Sequence, residues 1–216
     1  MDKNTGDILR KIRSNYDALA AAYAREISGE LDHRPLERNL LEKFAAACDG
    51  LICDLGCGPG HVTEYLSRFN ANVIGLDLSP GILKEARTRH SEIIFLQGDM
   101  LNLPFTSAKV AGIVAFYSII HFGANQVARA FAEIARVLKP GGLVLLGVHV
   151  GREVVHVDEL WGIPVDFDAA FFDLHELIGN LEIHGFRVIE TMQREPYPGV
   201  EHQSVRGYIW AQRAAG

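Results

Sequence analysis

The stretch "ICDLGCGPGH", residues 52–61, decides how the rest of the chain is read. "LICDL" (51–55) reads as a short buried strand, glycines follow at 56, 58 and 60, and "HVTEYLSRF" (61–69) takes up helical spacing. Glycines at alternate positions let a main chain press close to a ligand, and the helix N-terminus behind them aims backbone amides at it. The dinucleotide fingerprint needs a third glycine three residues after Gly58, where His61 stands, and the G-K-[ST] ending of a nucleotide-triphosphate loop is absent. Asp54 directly before the glycines repels a pyrophosphate and suits a ligand that carries an ammonium or sulfonium.

Outward from this turn, strand and helix alternate. "NVIGLDL" (72–78) is a strand, and Ser79 with Pro80 starts a helix. "EIIFLQG" (92–98) and "VAGIVAFYS" (110–118) are strands, "NQVARAFAEIARVL" (125–138) is a helix broken by "KPGG", and "LVLLGVHV" (143–150) is a strand. Residues 151–172 show no regular pattern, Asp173 with Glu176 opens a helix ending at Gly185, and strands near 186–194 and 204–212 meet without a helix between them. Upstream, residues 7–27 predict an amphipathic helix, and a second follows Pro35. The expected fold class is α/β: a Rossmann-like, seven-stranded, mostly parallel sheet with helices on both faces, the last strand antiparallel, and an N-terminal helical lid. The expected single domain divides into a lid (1–48), a cofactor-binding core (49–150), a substrate-lining insertion (151–172) and a C-terminal helix with strands (173–216).

The composition narrows the partners. The 216 residues are 48% apolar and 22% charged, with net charge −6. A body of that sign attracts neither phosphate backbones nor anionic membrane surfaces, so neither nucleic acid nor membrane is an expected partner. Cys48, Cys53 and Cys57 form no C-x-x-C pair and have no histidine cluster, so no metal is expected; a reducing cytoplasm is the expected location. No apolar run reaches eighteen residues and "MDKNTGDILRKIRSNY" has no signal-peptide core.

"DLGCGPG" (54–60) resembles the first motif of class I S-adenosylmethionine-dependent methyltransferases. The resemblance extends to Asp77 at the end of the second strand, to "GDM" (98–100), to "LKPGG" (138–142) and to "YDALAAAYA" (16–24), which is similar to the lid helix of small-molecule members. It implies S-adenosyl-L-methionine as cofactor and S-adenosyl-L-homocysteine as product. It implies Asp77 on the ribose hydroxyls, Asp99 on the adenine amine, Gly98 and Met100 along the adenine edge, and Leu78 and Ile82 on its faces. The loop residues Gly56, Cys57, Gly58 and Gly60 would admit the methionine tail and Asp54 would hold its ammonium. Phe116 and Tyr16 offer π-faces near the sulfonium, Tyr16 and Tyr23 of the lid helix would close over the pocket, and Tyr117 is a further expected cofactor contact.

Methyl transfer from a sulfonium requires alignment, exclusion of water and, for some acceptors, removal of a proton. His121 is the expected base, with Tyr16 and His149 as further catalytic candidates. His121, His149, His156, Trp161 and Arg206 are expected to line the acceptor. The short lid and the absence of a separate macromolecule-binding segment favour a small molecule, and the aromatic content of lid and insertion favours a planar one. The alternatives weighed are a tRNA or protein methyltransferase of the same fold, an NAD-dependent oxidoreductase and a non-catalytic cofactor-binding module.

Overall fold

The computed structural model describes residues 3–215. Five parallel strands come first: β1 (Ile52–Leu55), β2 (Val73–Asp77), β3 (Ile94–Gln97), β4 (Val110–Phe116) and β5 (Leu138–His149). A hairpin of β6 (Val154–Leu160) and β7 (Ile163–Ala170) follows, and β8 (Phe186–Arg194) and β9 (Arg206–Arg213) end the chain. The main sheet has seven strands in the order β3-β2-β1-β4-β5-β9-β8, with β9 antiparallel to both its neighbours. All four residues of β1 and the first six of β4 are buried, as central strands covered on both faces must be.

Helices α1 (Lys3–Ile27), α2 (Pro35–Ala47), α3 (His61–Ser67), α4 (Pro80–Arg89), α5 (Ala124–Val137) and α6 (Leu174–Ile183) surround the sheet. Their starts follow local chemistry. Ser79 Oγ accepts from the Ile82 amide at 3.1 Å and Pro80 occupies the first turn of α4. Asp173 caps α6 by accepting from the amides of His175 and Glu176. In α5, Val127, Ala130, Phe131, Ile134 and Val137 form the buried stripe that a 3.6-residue period demands. On the opposite face α2 inserts Leu41 and Phe44, both fully buried, beside Ile52, Val114 and Leu145. It therefore covers the sheet itself, and the roof over the strand ends comes from α1 and the hairpin.

Two stretches differ from the sequence-based expectation. β5 begins at Leu138, where Leu138 pairs with Val110, and a register shift precedes the Gly112–Leu143 pair. "KPGG" thus forms the bulged start of a strand, with Gly141 at φ 76°. Residues 151–172 are not irregular: they fold into the β6–β7 hairpin, a separate two-stranded sheet. Val165 and Phe167 point inward and pack with Leu19 of α1, while Asp166 and Asp168 between and beyond them point out.

α1 is tied down at two points. Asp17 Oδ1 accepts from Ser79 Oγ at 2.5 Å and from the Gly81 amide at 2.9 Å, at the start of α4. The Asn15 amide group bonds the backbone of Asp166 in both directions, at 2.8 and 3.0 Å, so it pairs with β7 as a short strand would. Among the described residues no helix is long and apolar enough to cross a membrane.

Candidate functional site

At the C-terminal end of β1 the chain turns through three left-handed glycines, Gly56 (φ 73°), Gly58 (φ 54°) and Gly60 (φ 87°). A Cβ at Gly56 would stand 2.4 Å from that of Ser118, so β1 and the end of β4 meet too closely for any side chain there. The amides of Gly56 and Cys57 both donate to Leu76 O, at 2.7 and 3.1 Å, which ties the turn to β2. At the end of β2, Asp77 Oδ2 accepts from the Gly58 amide at 3.0 Å and Oδ1 from the Ser79 amide at 2.9 Å. The carboxylate is thereby fixed in plane and keeps a lone pair on each oxygen. Burial raises the Asp77 pKa, against the lowering effect of the Ser79 and Gly58 amides. Asp99, beyond β3, is held by the Leu101 amide at 2.8 Å.

These groups edge one cleft. Gly56, Gly58 and Asp77–Leu78 form one side and Gly98–Met100 another, and Leu9, Ile12, Tyr16 and Tyr23 of α1 roof it. Past Phe116 and Tyr117 the cleft opens into a chamber of about 700 Å³. Asp54 borders that chamber while almost wholly buried, and among the described residues its one side-chain donor is Thr63 Oγ1 at 2.6 Å. Burial pushes its carboxyl up to about 6, with the Thr63 hydrogen bond opposing.

His121 stands where the roof meets β4. Its Nδ1 lies 2.7 Å from the backbone oxygen of Asp168, an atom that can only accept, so Nδ1 carries the proton. Nε2 is then a bare acceptor, and the Tyr16 hydroxyl donates to it at 2.9 Å. Burial lowers the His121 pKa, against the pull of the Asp168 carbonyl, and burial raises that of Tyr16. The pair at neutral pH is an uncharged imidazole and an intact phenol. Phe167 stacks on Tyr16 at 5.8 Å and meets His121 edge-on at 4.7 Å, which fixes both rings.

The far wall of the chamber is polar. His149 contacts Ser204 Oγ at 2.7 Å and accepts from Arg206 at Nε2 at 3.0 Å. Burial first, and then the Arg206 charge, push the His149 pKa down to about 3, so it is a neutral hydrogen-bonding group and no base near pH 7. Tyr117 sits in the left-handed region at φ 53°, bonds Tyr208 through its hydroxyl at 3.0 Å, and has the Arg206 guanidinium 5.1 Å from its ring centre. A non-glycine held there is a mark of local constraint at a site. Trp161, at the hairpin tip, borders the same chamber and touches Tyr23 edge-on at 5.6 Å.

Three expected site residues lie elsewhere. Ile82, on α4, is 1% exposed, lies in the core and borders neither the cleft nor the chamber. Gly60 does not edge the cleft; it gives α3 its left-handed entry, and a Cβ there would strike the Phe95 ring at 2.7 Å. His156 points to solvent on β6, pairs with Asp168 Oδ1 at 2.9 Å and lines no part of the chamber. Cys57 borders the chamber, but its thiol packs with Leu83, Ala86 and Phe95. The remaining candidates named from the sequence converge on the cleft or the chamber.

Two residues that the sequence reading passed over also reach the chamber. Glu30 bonds His61 of α3 at 3.0 Å and Arg34 at 2.9 Å, and Arg34 Nε is buried with no hydrogen-bond partner. They come from a 3-10 turn (Glu30–His33) and the residue after it, a segment with no periodicity to mark it. The Pro35 start of α2 is the one local signal for its position.

Residues 52–142 match the family described as a methyltransferase domain. A malonyl-(acyl-carrier protein) O-methyltransferase of Serratia marcescens is 26% identical over 193 residues, which cover 86% of this chain and 74% of that protein. The protein of the same name in Pectobacterium atrosepticum is 29% identical over 151 residues, 68% of this chain, and the match spans 59% of that relative's length. Among solved structures, the DhpI–SAH complex shares the fold with a TM-score of 0.75 at 19% identity, over 97% of this chain and 98% of its own.

Proposed function

This chain belongs to the class I S-adenosylmethionine-dependent methyltransferases by its domain and its fold, and we propose that it transfers a methyl group from that cofactor to a small planar acceptor. The observation that carries the reading is the convergence of Asp77, Asp99 and the glycine turn on one cleft, with Asp54 on the adjoining chamber, under a roof whose Tyr16 meets His121. The donor set fits the cofactor. A braced carboxylate with two free lone pairs, Asp77, suits two adjacent ribose hydroxyls, and Asp99 suits an exocyclic amine. Asp54, buried with a single side-chain donor, lacks the counter-charge that an ammonium supplies.

Bound there, the cofactor supplies an electrophilic methyl group on a cationic sulfur. The protein's own contribution is position and proton handling. Tyr16, Tyr23, Phe116 and Tyr117 separate the cleft from the chamber and exclude water between them. The acceptor's proton passes through the Tyr16 hydroxyl to His121 Nε2, whose orientation the Asp168 carbonyl fixes. The reading divides the chain into a cofactor side, 49–150, and an acceptor side formed by α1, residues 151–172 and the C-terminal segment. With net charge −6, a small metabolite fits better than nucleic acid.

The direct test is calorimetry with S-adenosylhomocysteine, with NADH as the contrasting ligand, followed by a mass-shift screen of metabolites with labelled cofactor. No heat with the homologue, or heat with NADH instead, overturns the proposal. His121→Ala is expected to lower turnover about 100-fold or more, the usual share of a general base. Its affinity for S-adenosylhomocysteine should stay within about threefold, a shift small against the 1.4 kcal/mol of each tenfold step. Cofactor affinity should also depend on pH. The free Asp54 carboxyl titrates at about 6 and a neighbouring ammonium holds it ionised. Affinity is therefore full above that value and falls about tenfold between pH 7 and pH 5. A flat profile measured calorimetrically over that range removes Asp54 from the ammonium.

A further inference from the structure

The β6–β7 hairpin closes through a two-residue turn, Trp161-Gly162, between the paired residues Leu160 and Ile163. Both turn residues have positive φ, 53° and 77°, the backbone of a type I′ turn. Asn, Asp and Gly favour that geometry, and a bulky aromatic in it is an outlier. Gly162 follows the rule and Trp161 breaks it. Burial does not explain the exception, because Trp161 remains 39% exposed and, among the described residues, its one ring contact is the edge of Tyr23. What the position does provide is a rigid aromatic surface at the border of the 700 Å³ chamber, on the side of Tyr23 and Phe167, while the loop at Gly199–Gln203 borders it elsewhere. Strained residues of this kind persist where the surrounding structure holds them for a task.

We infer that Trp161 is a specificity-determining residue, whose indole grips a planar, π-bearing acceptor at the mouth of the chamber. The turn is strained because the ring must stand there. The assignment rests on the proposed acceptor chamber and is independent of His121. It predicts opposite signs for folding and for recognition. Asn suits the first position of a type I′ turn, so Trp161→Asn should raise the melting temperature by about 2–4 °C. The same change should leave S-adenosylhomocysteine affinity within about twofold and weaken binding of a planar probe roughly five- to tenfold, the size of an aromatic contact.

The probes are 2-naphthol and its saturated counterpart decahydro-2-naphthol, added to protein saturated with S-adenosylhomocysteine. The chain has two tryptophans. Trp210→Phe, a change on β9 beside Phe44, leaves Trp161 as the sole fluorescent reporter. Expected results are quenching of Trp161 by 2-naphthol, clearly weaker binding of the saturated alcohol, and loss of the difference in Trp161→Asn as read by calorimetry. A melting temperature that falls or stays put overturns the strain argument. Absence of 2-naphthol binding, equal binding of the two alcohols, or unchanged 2-naphthol affinity in Trp161→Asn overturns the grip. Failure of the unsubstituted protein to bind S-adenosylhomocysteine defeats the proposed function instead. The melting shift and probe binding, both measurable without cofactor, then still decide the role of Trp161.

Discussion

Asp77→Asn should cost the protein two to three orders of magnitude in affinity for S-adenosylhomocysteine, measured by calorimetry at pH 7.5. Asparagine is nearly the same shape, so the loss comes from hydrogen-bond polarity. Both oxygens of Asp77 accept backbone amides, Gly58 at 3.0 Å and Ser79 at 2.9 Å. The amide of asparagine carries one acceptor oxygen and one NH2 donor, so one of those two amides must face another donor. The glycine turn then loses its brace on the side that approaches the ligand, and the ribose hydroxyls lose one charged acceptor. Hydrogen bonds to charged groups contribute about 1.5–3 kcal/mol each. Two lost together amount to roughly 3–6 kcal/mol, hence at least about 100-fold. Affinity within tenfold of the unsubstituted protein removes Asp77 from the ribose.

Glu201→Ala should be the most destabilising single change on the acceptor side. The Glu201 side chain is fully buried among three arginines. It accepts from Arg206 Nε at 3.0 Å, from the Tyr197 amide at 2.8 Å and from Arg194, and Arg34 Nε lies 3.5 Å away. Burial works against the ionised carboxyl, yet the Arg194 hydrogen bond, the Tyr197 amide and the Arg206 and Arg34 charges together hold its pKa down to about 2. Glu37, also buried, shares Arg194 and takes the Tyr208 hydroxyl. Removing one member of such a cluster strands the remaining charges at about 3–5 kcal/mol. For a chain of this length that corresponds to a fall of about 10 °C in melting temperature. Because the folded pKa lies below the unfolded one, this stabilisation is complete above about pH 4.3 and disappears as pH falls toward 2. Glu201→Gln keeps the shape without the charge and should recover part of the loss. A melting temperature within about 2 °C for the alanine variant would show that the cluster contributes little.

What the sequence made legible is what lies next to strand ends. Gly56, Gly58, Asp77 and Asp99 could be placed because a buried strand fixes where its C-terminal residues emerge, and parallel strands bring those ends together. His121 followed from the same rule applied to β4. The errors have equally local causes. His156 alternates with Val157 on β6, and since Val157 turns toward the α1-facing cluster, His156 must turn to solvent. The alternation in "VDFDA" that makes β7 is short and follows a turn whose first residue is Trp, so neither strand nor turn announced itself. Arg34 was invisible for a different reason. It borders the chamber from the residue after a 3-10 turn, paired with Glu30, which itself bonds the distant His61, and no periodicity encodes that.

The way α1 is fastened has a thermodynamic consequence. Tyr16 and Tyr23 of this one helix border both compartments, and Asp17 and Asn15 stitch it to α4 and β7 respectively. Whatever occupies either compartment therefore helps to hold down a ceiling common to both. Linkage requires the benefit to be mutual: by whatever factor an acceptor tightens the cofactor, the cofactor tightens the acceptor. Each of the two ligands is therefore held more tightly while the other is in place, a coupling that a single shared helix is enough to carry.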